Sequence, residues 1–195
     1  MEDSEELADW LARRRQAGAD RAAIDAAIHA RFGCIQAVMF TDLVGFSRLV
    51  EAFGILHFLQ LIHESETLFL PLIRAHGGTC LKREGDSLLA VFDTPAMALA
   101  AARAMLAATV AANPTRSPEE RIEVCIGMGY GPVLRVGDNE VWGAEVNAAS
   151  KLGEEMARGA EVLVTGDFRR AVPEAAFTEE GTVFGARQVF RLRAT

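Results

Sequence analysis

At residues 40–47 the sequence reads FTDLVGFS, directly after a short apolar run at residues 37–39. That run predicts a buried strand, and the glycine followed by a long helical pattern predicts a sharp turn into a helix. Asp42 would then end a strand beside backbone N–H groups that open a helix, a junction that can hold a cation and an anion together. In the alternative interpretation, Asp42 only ends the strand, Gly45 makes the turn and Ser47 caps the helix.

Composition limits the class of protein. The 195 residues are 50% hydrophobic, which is enough for one packed domain with an added segment. The formal net charge of -7 argues against binding to nucleic acid or to anionic membranes, because that affinity comes from Lys and Arg on phosphates. A nucleotide site in this chain would therefore need local positive charge or a metal ion.

The cysteines and the chain start predict a cytoplasmic protein. Cys34, Cys80 and Cys125 are isolated within strand-like runs, which is typical of reduced core residues. No apolar run approaches the roughly 18 residues of a membrane span, and the acidic start does not resemble a signal peptide. We expect no membrane insertion and no nucleic-acid partner.

Periodicity and turn residues divide the chain into an N-terminal helical segment, residues 1–33, and a domain, residues 34–195. Each of two helical patterns in the first segment has a narrow apolar stripe, which should pack on the domain or on a second copy of the chain. The domain alternates strands and helices with several hairpins, which predicts an α+β sheet with helices on one face. The predicted strands are residues 34–42, 79–83, 87–92, 121–131 and 161–164, with two more near residues 177 and 188–192. Residues 133–136 should pair with the strand at residues 121–131 or continue it. The predicted helices are residues 45–76, broken at Gly54, 95–112, 143–158 and 166–171.

Two aspartates follow strands that one long helix separates, Asp42 after the first strand and Asp86 in a tight turn at residues 84–86. Pairing of those strands would bring both carboxylates to one end of the sheet. Mg²⁺ prefers a few carboxylate oxygens together with substrate phosphates, so this pair beside an amide-rich turn suits a metal–triphosphate complex. Turn aspartates are also common in proteins that bind no metal there.

Three motifs, in order and spacing, resemble the catalytic domain of class III nucleotidyl cyclases. They are FTDLVGFS at residues 40–47, KREGD at residues 82–86 and VWGAEVNAASK at residues 141–151. The resemblance covers about residues 34–193 and implies a ferredoxin-like α/β (α+β) domain, with a central, mostly antiparallel sheet and flanking helices. It also implies a head-to-tail homodimer in which two sites are shared across the interface.

The resemblance implies that one subunit supplies the metal and phosphate groups. Asp42, the Leu43 carbonyl and Asp86 would bind two Mg²⁺ or Mn²⁺ ions. The triphosphate would be held by Val44, Gly45, Phe46 and Ser47. The reaction implied is attack of the ribose 3′-oxygen on the α-phosphorus, which expels pyrophosphate and leaves a 3′,5′-cyclic nucleotide.

The partner subunit would supply the base pocket and the transition-state groups. By position, Asn147 would orient the ribose, and Lys151, at i+4 on the same helix face, would stabilise the pentavalent phosphate. Lys82 and Glu140 would read the base. Trp142 stands beside Glu140, either against the nucleotide or in core or interface packing.

The chain departs from the family pattern at three positions. Lys151 stands where an arginine is usual, so the charge remains but the planar fork is lost and a slower enzyme is expected. Glu140 replaces aspartate or threonine, and a carboxylate there can read the exocyclic amine of adenine or cytosine. Phe184 stands where a lysine usually binds the terminal phosphates, although Arg187 or Arg135 could reach in.

These residues predict a metal-dependent nucleotidyl cyclase with a signalling role, for which ATP is favoured, CTP is possible and GTP is disfavoured. A catalytically silent cyclase-like domain that binds nucleotide and regulates a partner is the first alternative, and a purely structural dimerisation module is the second. The glycines at residues 127, 129 and 131 lie inside a predicted strand, which indicates close approach of the partner subunit or the nucleotide.

Overall fold

The computed structural model describes residues 2–193, apart from the side chains of residues 46–49. Eight strands in this part of the chain form one sheet in the order β2-β3-β1-β4-β6-β8-β7, and β5 pairs with β4. All pairings are antiparallel except that of β4 with β6. The strands are β1 Gly33–Leu43, β2 Thr79–Glu84, β3 Ser87–Phe92, β4 Val124–Val136, β5 Glu140–Trp142, β6 Val162–Thr165, β7 Phe177–Val183 and β8 Arg187–Leu192. The predicted mixed α/β fold with a mostly antiparallel sheet is confirmed.

Seven α-helices in the described residues connect and cover these strands. Gly54 breaks the long helical pattern as predicted, and residues 133–136 continue the preceding strand, which is one of the two predicted outcomes, so that residues 124–136 form one strand. The segment predicted as a single helix at residues 143–158 is an α-helix followed by one π-helical turn, Leu152–Met156. The α-helices are α1 Glu2–Arg14, α2 Arg21–Phe32, α3 Phe46–Phe53, α4 Ile55–Ala75, α5 Pro95–Ala112, α6 Ala144–Lys151 and α7 Gly166–Ala171.

Helices cover both faces of the sheet, so the prediction of helices on one face was wrong. Alternate residues of β1 point to opposite faces, as strand geometry requires. Ala37 and Met39 belong to the core formed with α4, α5 and α7. Val38 lies on the other face with Ala149 of α6. The two faces therefore have separate cores, and α6 lies on the face that carries the candidate site.

The glycines of β4 allow α6 to pack directly on the strand. A Cβ on Gly127 would lie 2.5 Å from the amide nitrogen of Gly153, and one on Gly129 would lie 2.7 Å from the carbonyl of Glu145. A Cβ on Gly131 would contact the Glu145 side chain. The expected close approach is therefore made by this chain's own helix, where a partner subunit or a nucleotide had been predicted.

The N-terminal helices pack on the domain, which is one of the two predicted outcomes. Ile24, Ile28 and Phe32 of α2 form a small core with Val136 at the end of β4. Arg31 of α2 forms ion pairs with two acidic residues of α1. Because α2 ends at Phe32 and β1 begins at the next residue, movement of this helix would act directly on the first strand.

One segment meets the length and composition of a membrane span, which corrects the prediction that no apolar run does. Residues 95–115 form a stretch of 21 residues with mean hydropathy 1.5. The α5 helix lies within it and buries Ala98, Leu99 and Met105 against the sheet. A helix in the core of a domain can meet the same criteria as a membrane span. One such segment is therefore weak evidence that the chain crosses a membrane.

Candidate active site

The two aspartates predicted to bind metal lie at the same end of neighbouring strands. Asp42 stands near the end of β1, and Asp86 occupies the turn between β2 and β3, the strand that pairs with β1. Ser87 donates a hydrogen bond from Oγ to Oδ1 of Asp42 over 3.1 Å. The Asp86 carboxylate accepts a backbone hydrogen bond from Leu43. The structure thus brings Asp42, Leu43 and Asp86 together, as predicted.

The surroundings of the pair disfavour two bare negative charges. Burial, followed by the nearby charge of Asp86, raises the pKa of Asp42 to about 6. Burial also raises the pKa of Asp86, while backbone hydrogen bonds from Asp86 and Leu43 oppose that rise. The charge of Glu154 raises both pKa values. A divalent cation would offset this repulsion, which is the electrostatic condition expected where carboxylates bind a cation.

The raised pKa of Asp42 means that its negative charge is unfavourable in the folded state. Removing that charge should therefore increase the stability of the metal-free protein. The folded state retains a proton that the unfolded chain loses from about pH 4, so this stabilisation is lost as the pH rises through about 6. We expect Asp42→Asn to raise the Tm in excess chelator at pH 7.5 and to have little effect at pH 4.5. Scanning calorimetry at both pH values tests this, with exposed Asp138→Asn as control. An equal shift at both pH values would contradict the assignment.

The turn after β1 offers fewer amides than predicted. The Val44 amide donates to the Glu123 carbonyl over 3.0 Å, so it is not available to a phosphate. Gly45 has a left-handed φ of 91° and precedes α3, whose first turn has no side-chain cap. The predicted contacts of the Phe46 and Ser47 side chains lie outside the described residues. The predicted anion site in this turn therefore depends on Gly45 and on the backbone at the start of α3.

A groove of about 370 Å³ lies beside the two aspartates, between α6 and the β2–β3 hairpin. Lys82 and Lys151, which line it from opposite sides, are the only lysines in the sequence. Asn147 and Trp142 also line the groove. The remaining lining residues are Phe40, Glu84, Ser87, Leu89, Val141, Val146, Ser150, Glu154, Glu155 and Phe184. Four of the residues predicted to bind nucleotide or to act in the reaction thus share one groove.

Each groove lysine is paired with a groove carboxylate. Lys82 Nζ lies 3.9 Å from Oε1 of Glu84, and Lys151 Nζ forms an ion pair with Glu155 one turn along the helix. Exposed pairs of this kind contribute little free energy, so an incoming phosphate can replace the carboxylate. The groove therefore offers two lysine ammonium groups to an anionic ligand, and each of them is paired with a carboxylate of the groove itself.

Glu140 lies apart from the Lys82 groove. It lines a separate cavity of about 550 Å³ against the N-terminal helices, together with Trp142 and Leu134. Its Oε2 is 3.4 Å from Nε1 of Trp142, the indole of which is 55% exposed. The packing of Trp142 is therefore not that of a core residue, and this indole links the groove with the cavity that contains Glu140.

Sequence patterns did not identify three glutamates in or beside the site. Glu154 approaches both aspartates, and Glu155 binds Lys151. Glu145 is 4% exposed and accepts hydrogen bonds from the amide of Tyr130 and the hydroxyl of Thr165. Its place inside the third motif, in the first turn of α6, was the available signal. A glutamate there reads equally well as an ordinary helix-start residue.

The donors at the end of β1 fit a hard cation. Two carboxylates and the backbone of Leu43 are oxygen donors of the kind that Mg²⁺ and Mn²⁺ select, with the other positions left to water or phosphate. In the described part of the chain, no group of three or more His, Cys, Asp or Glu residues could hold a metal ion.

Comparisons with known proteins identify relatives of this chain. Relatives include an adenylate cyclase of Streptomyces coelicolor, 34% identical over 75% of this chain, and adenylate cyclase 1 of Rhizobium meliloti, 30% identical over 66%. The chain spans 35% and 22% of the lengths of these two relatives.

Solved structures show the same fold. An adenylate/guanylate cyclase/hydrolase from Silicibacter pomeroyi superposes with a TM-score of 0.69 at 27% identity, covering 82% of this chain and 96% of that one. A bacterial light-regulated adenylyl cyclase gives a TM-score of 0.69 at 21% identity, covering 82% and 90%. The family model of the adenylate and guanylate cyclase catalytic domain matches residues 29–189. The chain belongs to the class III adenylate and guanylate cyclase catalytic domain family.

Proposed function

We propose that this chain is a metal-dependent nucleotidyl cyclase, which converts a nucleoside triphosphate into a 3′,5′-cyclic nucleotide and pyrophosphate in a signalling role. The observation that carries the proposal is that one chain holds both kinds of group that the reaction needs, Asp42 and Asp86 at one end of the sheet and its only two lysines, Lys82 and Lys151, in one groove. In the homodimer proposed below, the aspartates of one subunit would act with the groove of the other. In a chain with a net charge of -7, this groove holds both ammonium groups where a triphosphate would need positive charge, together with Glu84, Glu154 and Glu155.

The proposed site residues would have separate roles in the reaction, which follow from their positions. Asp42, Leu43 and Asp86 would hold two Mg²⁺ or Mn²⁺ ions, which lower the pKa of the attacking 3′-hydroxyl and neutralise charge on the departing pyrophosphate. Asn147 offers an amide to fix the ribose. Lys151, one helix turn further on, would place its ammonium against the negative charge that develops at the α-phosphorus.

For the base, we propose ATP first and CTP second. Lys82 lines the groove and is the candidate contact to a ring nitrogen or carbonyl. Glu140 could accept from an exocyclic amine only if its side chain turned from its own cavity towards the groove, with Trp142 lying between the two. A carboxylate acceptor suits adenine and cytosine and disfavours guanine, which has a carbonyl at the corresponding position.

We propose that the active form is a head-to-tail homodimer, with the metal residues of one subunit facing the Asn147 and Lys151 of the other. Trp142 and Phe184 are large side chains that are 55% and 60% exposed at the groove, and a second subunit would cover them. We also propose that residues 1–33 form a distinct helical segment before the catalytic domain, that the protein is cytoplasmic, and that it inserts into no membrane and binds no nucleic acid.

The experiment that tests the function is incubation of the purified chain with ATP, CTP, GTP and UTP separately. Each is supplied with Mg²⁺ and with Mn²⁺, and the products are resolved by chromatography and mass spectrometry. We expect a cyclic product from ATP, with a slower one from CTP. Nucleotide binding with no product from any of the four would support a silent regulatory domain instead. No binding at all would leave only a structural dimerisation role.

The ion pair between Lys151 and Glu155 predicts that Glu155 weakens substrate binding. The Glu155 side chain is 61% exposed, so its removal should not disturb the fold. We expect Glu155→Gln to lower KM by about two-fold, which corresponds to the ~0.5 kcal/mol of an exposed i,i+4 pair. Steady-state kinetics at low and high salt would measure the effect, which salt should reduce. Exposed Glu174→Gln is the control, and an unchanged KM would show that Glu155 does not compete with substrate.

A further inference from the structure

Phe184 has an unfavourable backbone and an unusual position for a large apolar residue. Its φ is 49°, in the left-handed region that bulky residues avoid, and it is 60% exposed. It lines the groove that contains Lys151 and also a second cavity of about 490 Å³ beside Asn147. Strained conformations of this kind persist when surrounding structure enforces them, and they occur preferentially at functional sites.

The ring of Phe184 contacts the cation of the candidate catalytic helix. Lys151 Nζ lies 5.8 Å from the ring centroid, within the range of a cation–π interaction. The ammonium therefore contacts both the ring and Glu155. A lysine has four rotatable side-chain bonds, so such a contact restricts where its charge is found.

The turn that carries Phe184 is fixed to α6 by a buried ion pair. Arg187, three residues later at the start of β8, forms an ion pair with Glu145 in the first turn of α6. Glu145 is itself held by Tyr130 and by Thr165. Because this pair is anchored to two further strands, the start of β8 keeps a set position relative to the helix that bears Lys151.

We propose that Phe184 is a positioning residue for Lys151, and that the Glu145–Arg187 pair holds its turn in place. The ring keeps the flexible ammonium inside the groove, where an arginine would be kept by its rigid planar group. This inference rests on the proposed function, because it gives Lys151 its role in the reaction. In this proposal, the exposed ring of Phe184 restricts the positions that the Lys151 ammonium can occupy.

The kinetic test is a double-mutant cycle. We expect Phe184→Ala to lower kcat by about two- to five-fold with a smaller change in KM, as an exposed cation–π contact would give. Phe184→Tyr should retain activity, since its ring also binds cations. In a Lys151→Ala background, Phe184→Ala should have no further effect. Phe53→Ala removes a 53% exposed ring from the end of α3 and is the matched control.

A second readout is independent of activity. Reductive methylation with ¹³C-formaldehyde labels the side chains of Lys82 and Lys151 and the chain terminus alone, because the sequence has no other lysine. We expect the methyl signal of Lys151 to carry a ring-current shift that Phe184→Ala removes and Phe184→Tyr keeps. The Lys82 signal should stay unchanged. If the parent protein forms no cyclic product, the proposed function fails, and this measurement still decides whether Phe184 positions Lys151.

Stability separates positioning from a structural role. Phe184→Gly relieves the left-handed strain and removes little buried surface, so we expect a Tm equal to or above that of the parent protein. A lower Tm, equal losses of kcat in the Lys151→Ala background, or an unshifted Lys151 signal would each overturn the proposal. A retained Tm together with non-additive kinetics and a lost ring-current shift would support it.

Discussion

Replacing Asp86 with asparagine is expected to reduce cyclic nucleotide formation by about a thousand-fold while leaving the fold intact. The amide keeps the size of the carboxylate and can still accept the backbone hydrogen bond of Leu43. It loses the charge that, with Asp42, would bind the cations on which the chemistry depends. Loss of about 4 kcal/mol of transition-state stabilisation corresponds to that factor.

The matched control is Glu84→Gln in the same hairpin. Glu84 also lines the groove, but its side chain is 74% exposed and it pairs with Lys82. Loss of activity in Asp86→Asn with activity kept in Glu84→Gln would identify a specific metal ligand. Titration with Mn²⁺, followed by product formation and by the metal-dependent shift in Tm, measures both variants. Full activity of Asp86→Asn at the same metal concentration would contradict the proposed site.

Replacing Gly127 with alanine is expected to have the largest effect on stability. The new Cβ would lie 2.5 Å from the amide nitrogen of Gly153 and 2.9 Å from the Leu152 Cβ. It would also approach the Ala149 carbonyl, and backbone atoms cannot rotate away as a flexible side chain can. Overpacking of this kind costs about 3 kcal/mol, which lowers the Tm by roughly 6–12 °C in a domain of this size.

Activity should fall with stability in this variant, because the helix displaced by the new methyl group carries Asn147 and Lys151. A displacement of about 1 Å costs on the order of a hundred-fold in rate when reacting groups must be aligned. Gly131→Ala is the graded control, since its Cβ would meet only the Glu145 side chain, at 3.1 Å. Calorimetry and turnover of both variants test the prediction, and equal Tm losses would show that direct packing of α6 on Gly127 is not the cause.

The N-terminal helices limit access to one part of the site. They form one wall of the cavity that contains Glu140, and α2 continues without a linker into β1, which includes Asp42 near its end. Movement of these helices would therefore displace both Glu140, which is proposed to bind the base, and Asp42, which is proposed to bind the metal.

Local patterns were sufficient for most elements of the fold. Apolar runs bounded by glycines and turn residues located β1, the β2–β3 hairpin and α5, because each of these depends on side chains close in sequence. The three motifs were sufficient to place Asp42 and Asp86 together and to place Asn147 and Lys151 on one helix. The sequence alone therefore determined the class of fold, the family and the candidate residues.

The tertiary structure decided which surfaces meet. The three glycines of β4 predicted that another segment approaches this strand closely. Only the fold shows that the segment is α6, on the face opposite α4 and α5. Pairings such as Lys151 with Phe184 and Glu145 with Arg187 join residues 33 and 42 positions apart in the sequence numbering, and no local pattern records them. Periodicity reports which side chains are buried, whereas the packing of distant elements sets what they contact.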